Sequence, residues 1–189
     1  NFIGVKALVI TDIDSGYTYP VFEQDGVTPK LYKNGNPVTE TDTCLPTDAR
    51  ADHTTNAALT FYHQKVRADL PYFLGLQLAD KVLSKVGDSW AKTDNGQMLL
   101  VFQSAENGYH GRSFEDTFFA LNKDFLGTDS SKFPSLRANW FSDYVEGNCS
   151  ALEFAEKAVG SKPSLAIEIL LNSKQQDALS FSNWKTPAY

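Results

Sequence analysis

Two stretches of the chain are apolar without alternation, the pattern of strands covered on both faces. One is Val5 to Ile13, "VKALVITDI", and the other is "QMLLVFQSA", residues 97–105. The first predicts a central parallel strand and the second its neighbour. From Ser15 to about Arg50 the composition shifts to Gly, Pro, Thr and Asp, and "YPVFEQDG" and "KLYKNGNPVT" predict a short ribbon around Asn34-Gly35.

Helical spacing dominates the remainder. Thr54 or Thr55 is placed to cap a helix starting near Asn56, and "LPYFLGLQLADKVLSKVG" carries a helical apolar spacing that ends at Gly87. Ser113 is an N-cap candidate for "FEDTFFALNKDF", with Glu115 and Asp116 in the first turn, where negative charge complements the helix dipole. "SALEFAEKAVGSKPSLAIEILLN" reads as two helices separated by Gly160, the second with Pro163 in its first turn. The expected class is α/β: a mostly parallel central sheet, helices on both faces, and added helical and ribbon insertions.

Composition narrows the classes. At 189 residues and 42% hydrophobic content, one sizeable core and a single domain are expected. The formal charge of −6 offers no basic stripe for nucleic acid, although bound cations can reverse the field at a site. Cys44 and Cys149 stand far apart in no metal-ligand spacing, which fits a reduced cytoplasmic protein, with one disulfide as the alternative. No apolar run approaches the roughly 18 residues of a membrane span, so no membrane partner is expected.

Three places carry candidate chemistry. The first is the D-x-D of "VITDIDSG", at the carboxyl end of the first predicted strand. Alternate residues of a strand share a face, so Asp12 and Asp14 should point to one side, at the edge where open α/β sheets bind ligands. Two such carboxylates are held ionised most simply by a hard cation such as Mg²⁺; the alternative is a pair of solvated strand-end acids. The second is "GYHGRSFEDTFFALN", in which Glu115 and Asp116 could complete the carboxylate cluster and Arg112 could pair with a carboxylate or a phosphate. The bland reading has both acids merely answering the dipole. The third is "GSKPSLAIEILL": Lys162 opposes the dipole at a helix start, and either solvation or an anionic partner must account for it.

In order along the chain, "LVITDIDS", "TTNAAL", "RSFEDTFFALN", "SKPSLAIEILLN" and "NWKTPAY" resemble the carboxy-terminal TOPRIM nuclease region of OLD-family ATP-dependent endonucleases. The resemblance runs nearly end to end. It implies a TOPRIM-like sheet and DNA cleavage with two Mg²⁺ or Mn²⁺ ions, with Asp12, Asp14, Glu115 and Asp116 as metal ligands. Lys162 would stabilise charge on the phosphate, as a catalytic group beside Asp12, Asp14 and Glu115. It also implies an ABC-type ATPase domain on the same polypeptide and allows a homo-oligomer. No G-x-x-x-x-G-K-[ST] phosphate loop occurs in this sequence. In that family a strand and helix carrying a catalytic glutamate precede the D-x-D strand; no counterpart is found here, and a piece of a longer polypeptide is expected.

Two rivals remain open. A haloacid-dehalogenase-like phosphatase would use Asp12 as nucleophile, Asp14 as acid/base and Lys162 as its lysine, but needs a later acidic pair where the chain offers "KQQDALSF". A TOPRIM-like module that binds partners without chemistry is the other.

Overall fold

The computed structural model describes residues 5–177 and 180–189, so part of "KQQDALSF" lies outside the described residues. The chain packs as two compact units, Asn1–Phe102 and Gln103–Tyr189.

The first unit runs β1 (Ala7–Ile10), β2 (Ser15–Pro20), β3 (Thr39–Thr43), β4 (His53–Thr54), α1 (Ala57–His63), α2 (Leu70–Leu74), β5 (Val82–Val86), β6 (Ser89–Lys92) and β7 (Met98–Val101). Its larger sheet has the order β1-β7-β5-β6. β1 and β7 are parallel, with Ala7 opposite Met98 and Ile10 opposite Val101, whereas β5 runs antiparallel to both β7 and β6. The class is mixed α/β with a mixed sheet, not the mostly parallel sheet expected.

Two further expectations are corrected. The "VKALVITDI" strand is shorter than its apolar run and stands at the sheet edge, with Leu8 62% and Ile10 58% exposed. Only Val9 of this strand turns toward the core, which Ile13, Leu59, Leu70, Phe73, Leu83, Met98, Leu100 and Phe102 build between α1, α2 and one face of the sheet. An apolar run shows that burial is tolerated, not that a neighbour arrives. "KVLSKVG" is not the end of a helix either. The α-helix stops at Gly75, the C-cap of α2, a short 3₁₀ turn follows over Leu78–Lys81, and β5 and β6 form a hairpin that turns at Gly87, whose φ of 61° is left-handed. A left-handed glycine can end a helix or turn a hairpin, so the sequence pattern around Gly87 fits either.

The ribbon is present as expected. β2 pairs antiparallel with both β3 and β4, and the excursion between β2 and β3 turns at Gly35, whose N–H donates to the Tyr32 carbonyl at 2.9 Å.

The second unit is helical among the described residues: α3 (Phe114–Leu121), α4 (Lys123–Leu126), α5 (Ala138–Glu146), α6 (Ala151–Ala158) and α7 (Lys162–Asn172). Local chemistry sets its boundaries. Ser113 and Ser150 cap α3 and α6, each in a reciprocal pair with the acid three residues on, and Pro163 lies in the first turn of α7. The core is aromatic: Phe154 stacks on Tyr144 at 4.4 Å between centroids and contacts Phe119 at 4.7 Å. Each fully buried ring of this kind contributes roughly 1.5–3 kcal/mol. Tyr144 keeps its hydroxyl satisfied on the Phe119 carbonyl at 2.8 Å.

The chain's last residues are tied to the end of α3. Asn122 donates through Nδ2 to the Lys185 carbonyl at 2.9 Å and accepts from the Lys185 N–H at 2.6 Å, while Trp184 packs against Phe118. Both cysteines are free thiols. Among the described residues no helix is long and apolar enough to cross a membrane. The Asn122 clamp gives a direct test: Asn122→Ala removes both backbone bonds and should lower stability to urea by about 1–3 kcal/mol, with earlier proteolytic release of the segment around Trp184.

Candidate functional site

The second unit contains a cavity of about 260 Å³ whose lining includes Arg112, Ser113, Glu115, Glu156 and Lys162. Two helix starts meet there. Ser113 places Glu115 in the first turn of α3, and Ser161, accepting from the Ser164 N–H, places Lys162 in the first turn of α7. The Lys162 ammonium donates to Glu115 Oε2 at 2.9 Å. This carboxylate partner answers why a lysine tolerates the positive end of a helix dipole. The anionic partner is the glutamate of the neighbouring helix start. The pair is asymmetric in solvent, with the Lys162 side chain 66% exposed and that of Glu115 10%. Screening on the lysine side limits its contribution to at most about 1 kcal/mol.

Asp116, the neighbouring acid, is occupied differently. Its Oδ2 accepts from the Tyr109 hydroxyl and the Arg112 N–H, each at 2.9 Å. Its Oδ1 accepts from the Ser113 N–H at 2.5 Å and the Ser113 hydroxyl at 2.7 Å. Four donors match the roughly four lone-pair positions of a carboxylate, so a cation could be ligated only by displacing one of them. Burial first, and the Asp116 charge second, push the Tyr109 phenol well above its usual range and keep it a donor. Gly111 is required by the same cap: a Cβ there would lie 1.8 Å from Thr117 Oγ1.

Asp12 and Asp14 belong to the first unit, in the segment between β1 and β2. They do not share a face of a strand, because β1 ends at Ile10 and Asp14 has a left-handed φ of 48°. Both are half-buried, around the fully buried Ile13. The "TTN" stretch latches their backbone. Asn56 Nδ2 donates to the Asp12 carbonyl at 2.6 Å, Thr54 Oγ1 to that of Ile13 at 2.5 Å, and the Thr55 N–H to that of Asp14 at 3.0 Å. The N-cap of α1 is Asn56 itself, whose Oδ1 accepts from the Ala58 and Leu59 N–H groups, rather than either threonine.

Of the residues singled out from sequence, Arg112, Glu115 and Lys162 line one cavity in the second unit. Glu156 lines it too and was missed; its signal was only its place on α6, about a turn after the capping-box acid Glu153. Within either unit, among the described residues, no three His, Cys, Asp or Glu side chains group so as to hold a metal.

The two adjacent acids therefore separate in a denaturation experiment. Asp116→Ala should destabilise by on the order of 3 kcal/mol, because it strands buried donors. Glu115→Gln should change stability by less than about 1 kcal/mol. Urea midpoints in the reverse order would overturn the structural role given to Asp116. Compared with protein-family models, with curated proteins and with solved structures, the chain matches none.

Proposed function

We propose that the chain is the metal-dependent nuclease part of a DNA endonuclease, and that the Glu115–Lys162 cavity receives a backbone phosphate. The observation that carries this reading is the 2.9 Å contact between Lys162 and Glu115, in a cavity that Arg112 also lines. Cations beside a carboxylate suit a phosphodiester: the cations complement its charge, and the carboxylate is a hard oxygen donor. Bound Mg²⁺ or Mn²⁺ supplies a Lewis acid and lowers the pKa of water beside the phosphate.

The residues have separate tasks. Glu115 binds the cation and holds the Lys162 ammonium in position until substrate arrives. Lys162 then offsets charge that grows on the phosphate oxygens, and Arg112 orients the phosphate through its planar donors. The resemblance assigns Asp12 and Asp14 to metal as well, and expects an ATPase domain elsewhere on the polypeptide. The full occupation of Asp116 favours a second reading, a TOPRIM-like module that binds partners without cutting.

Nicking of supercoiled plasmid in Mn²⁺, read together with Mn²⁺ binding by calorimetry, decides between them. Lys162→Ala should slow cleavage by about a hundredfold or more while Mn²⁺ affinity changes by less than about threefold. Cleavage at the normal rate by that variant would end the role given to Lys162. A chain that binds Mn²⁺ and DNA yet never nicks would establish the non-catalytic module.

A further inference from the structure

A larger cavity, of about 440 Å³, lies in the first unit among α1, α2 and the β5–β6 hairpin. Its lining includes three aromatic rings, Tyr62, Tyr72 and Trp90, together with His63, Asp80 and Lys92. Tyr62 and Trp90 brace one another edge to face at 5.1 Å, and His63 meets Tyr72 at 5.8 Å. The volume is in the range of small-ligand sites, which pair apolar walls with a few polar groups.

The charges in this cavity answer one another. Lys92 Nζ lies 2.5 Å from Asp80 Oδ1, and the Asp80 carboxylate also accepts from the Gln77 N–H at 2.9 Å. Burial, followed by the nearby Lys81 charge, lowers the His63 pKa and keeps the imidazole neutral. Burial likewise raises the Tyr72 phenol, so it stays protonated. A cation entering here would meet Lys92, and Lys65, whose ammonium already lies 4.5 Å from the Tyr72 ring centre. An anion would face Asp80 with Lys92 already engaged. An uncharged ring with polar edges incurs neither cost, and it gains stacking area against the aromatic walls.

We infer that the Tyr62–Tyr72–Trp90 cavity binds an uncharged planar heteroaromatic ring, of the class of a purine or pyrimidine base. The ring can come from a free nucleoside or from an unpaired base in single-stranded DNA. The inference stands apart from the cleavage reading, since it uses no metal and no residue of the second unit.

Tryptophan fluorescence tests it without metal. The wild-type chain is titrated with adenosine, with a single-stranded oligonucleotide, and with an abasic oligonucleotide of the same length. Trp90→Phe serves as the optical control against Trp140 and Trp184. Tyr72→Leu, at a position already 40% exposed, tests the wall at a site where the core is little disturbed. Saturable quenching by adenosine that vanishes in Trp90→Phe and weakens about tenfold in Tyr72→Leu identifies a nucleoside site. Quenching by the oligonucleotide but by neither adenosine nor the abasic strand identifies a base presented on a strand. No saturable quenching, equal quenching by the abasic strand, or quenching unchanged in both variants would overturn the inference.

Discussion

The buried carboxylate of Asp116 is the contact on which the second unit's cavity depends. It is fully buried and accepts from a phenol, a hydroxyl and two backbone N–H groups. A charge in that position is tolerated only because its lone pairs are filled, and the donors that fill them all come from residues 109–113. The loop and the first turn of α3 therefore form one hydrogen-bonded piece. Glu115 projects from that piece, and Arg112 is held within it. The acid that could have been a metal ligand is what positions the acid that meets Lys162.

The first unit uses neutral groups for a similar task. Asn56 caps α1 with its carbonyl oxygen while its amide nitrogen holds the Asp12 backbone and the Thr11 hydroxyl. One side chain thus couples a helix start to the segment that carries Asp12 and Asp14. The left-handed Asp14 is held by Thr55 through its carbonyl, which keeps a conformation that few residues other than Gly, Asn and Asp adopt. The five stretches on which the proposed nuclease reading rests sort by these bonds: "TTNAAL" is latched to "LVITDIDS" in one unit. "RSFEDTFFALN" is joined to "SKPSLAIEILLN" through Lys162 and to "NWKTPAY" through Asn122 in the other.

The two cavities differ in chemistry. The second unit offers charge at two helix starts, and the first offers aromatic rings around an ion pair that is already closed. Phosphate recognition and ring recognition make these opposite demands on the surrounding dielectric. A charged group needs counter-charge or water, whereas a stacked ring needs neither.

The sequence by itself determined what short-range chemistry controls. Ser113 with Asp116, Gly160 with Pro163, Asn34 with Gly35 and the unalternating "QMLLV" each act within a few residues, and each stands in the structure where its local pattern puts it. Lys162 beside an unnamed anion was legible for the same reason, since a lysine against a helix dipole is a local conflict. The tertiary structure alone decided the rest. β1 became an edge strand because pairing is set by which chain segment arrives, and an apolar run is equally compatible with zero, one or two neighbours. Gly87 became a hairpin turn because a left-handed glycine ends a helix or reverses a ribbon with the same backbone angles. Asp116 is enclosed by its own capping loop while Glu115, also buried, reaches Lys162, because Tyr109 and the Arg112 backbone reach one carboxylate and not the other, a difference that adjacent acidic residues in a first helical turn do not reveal.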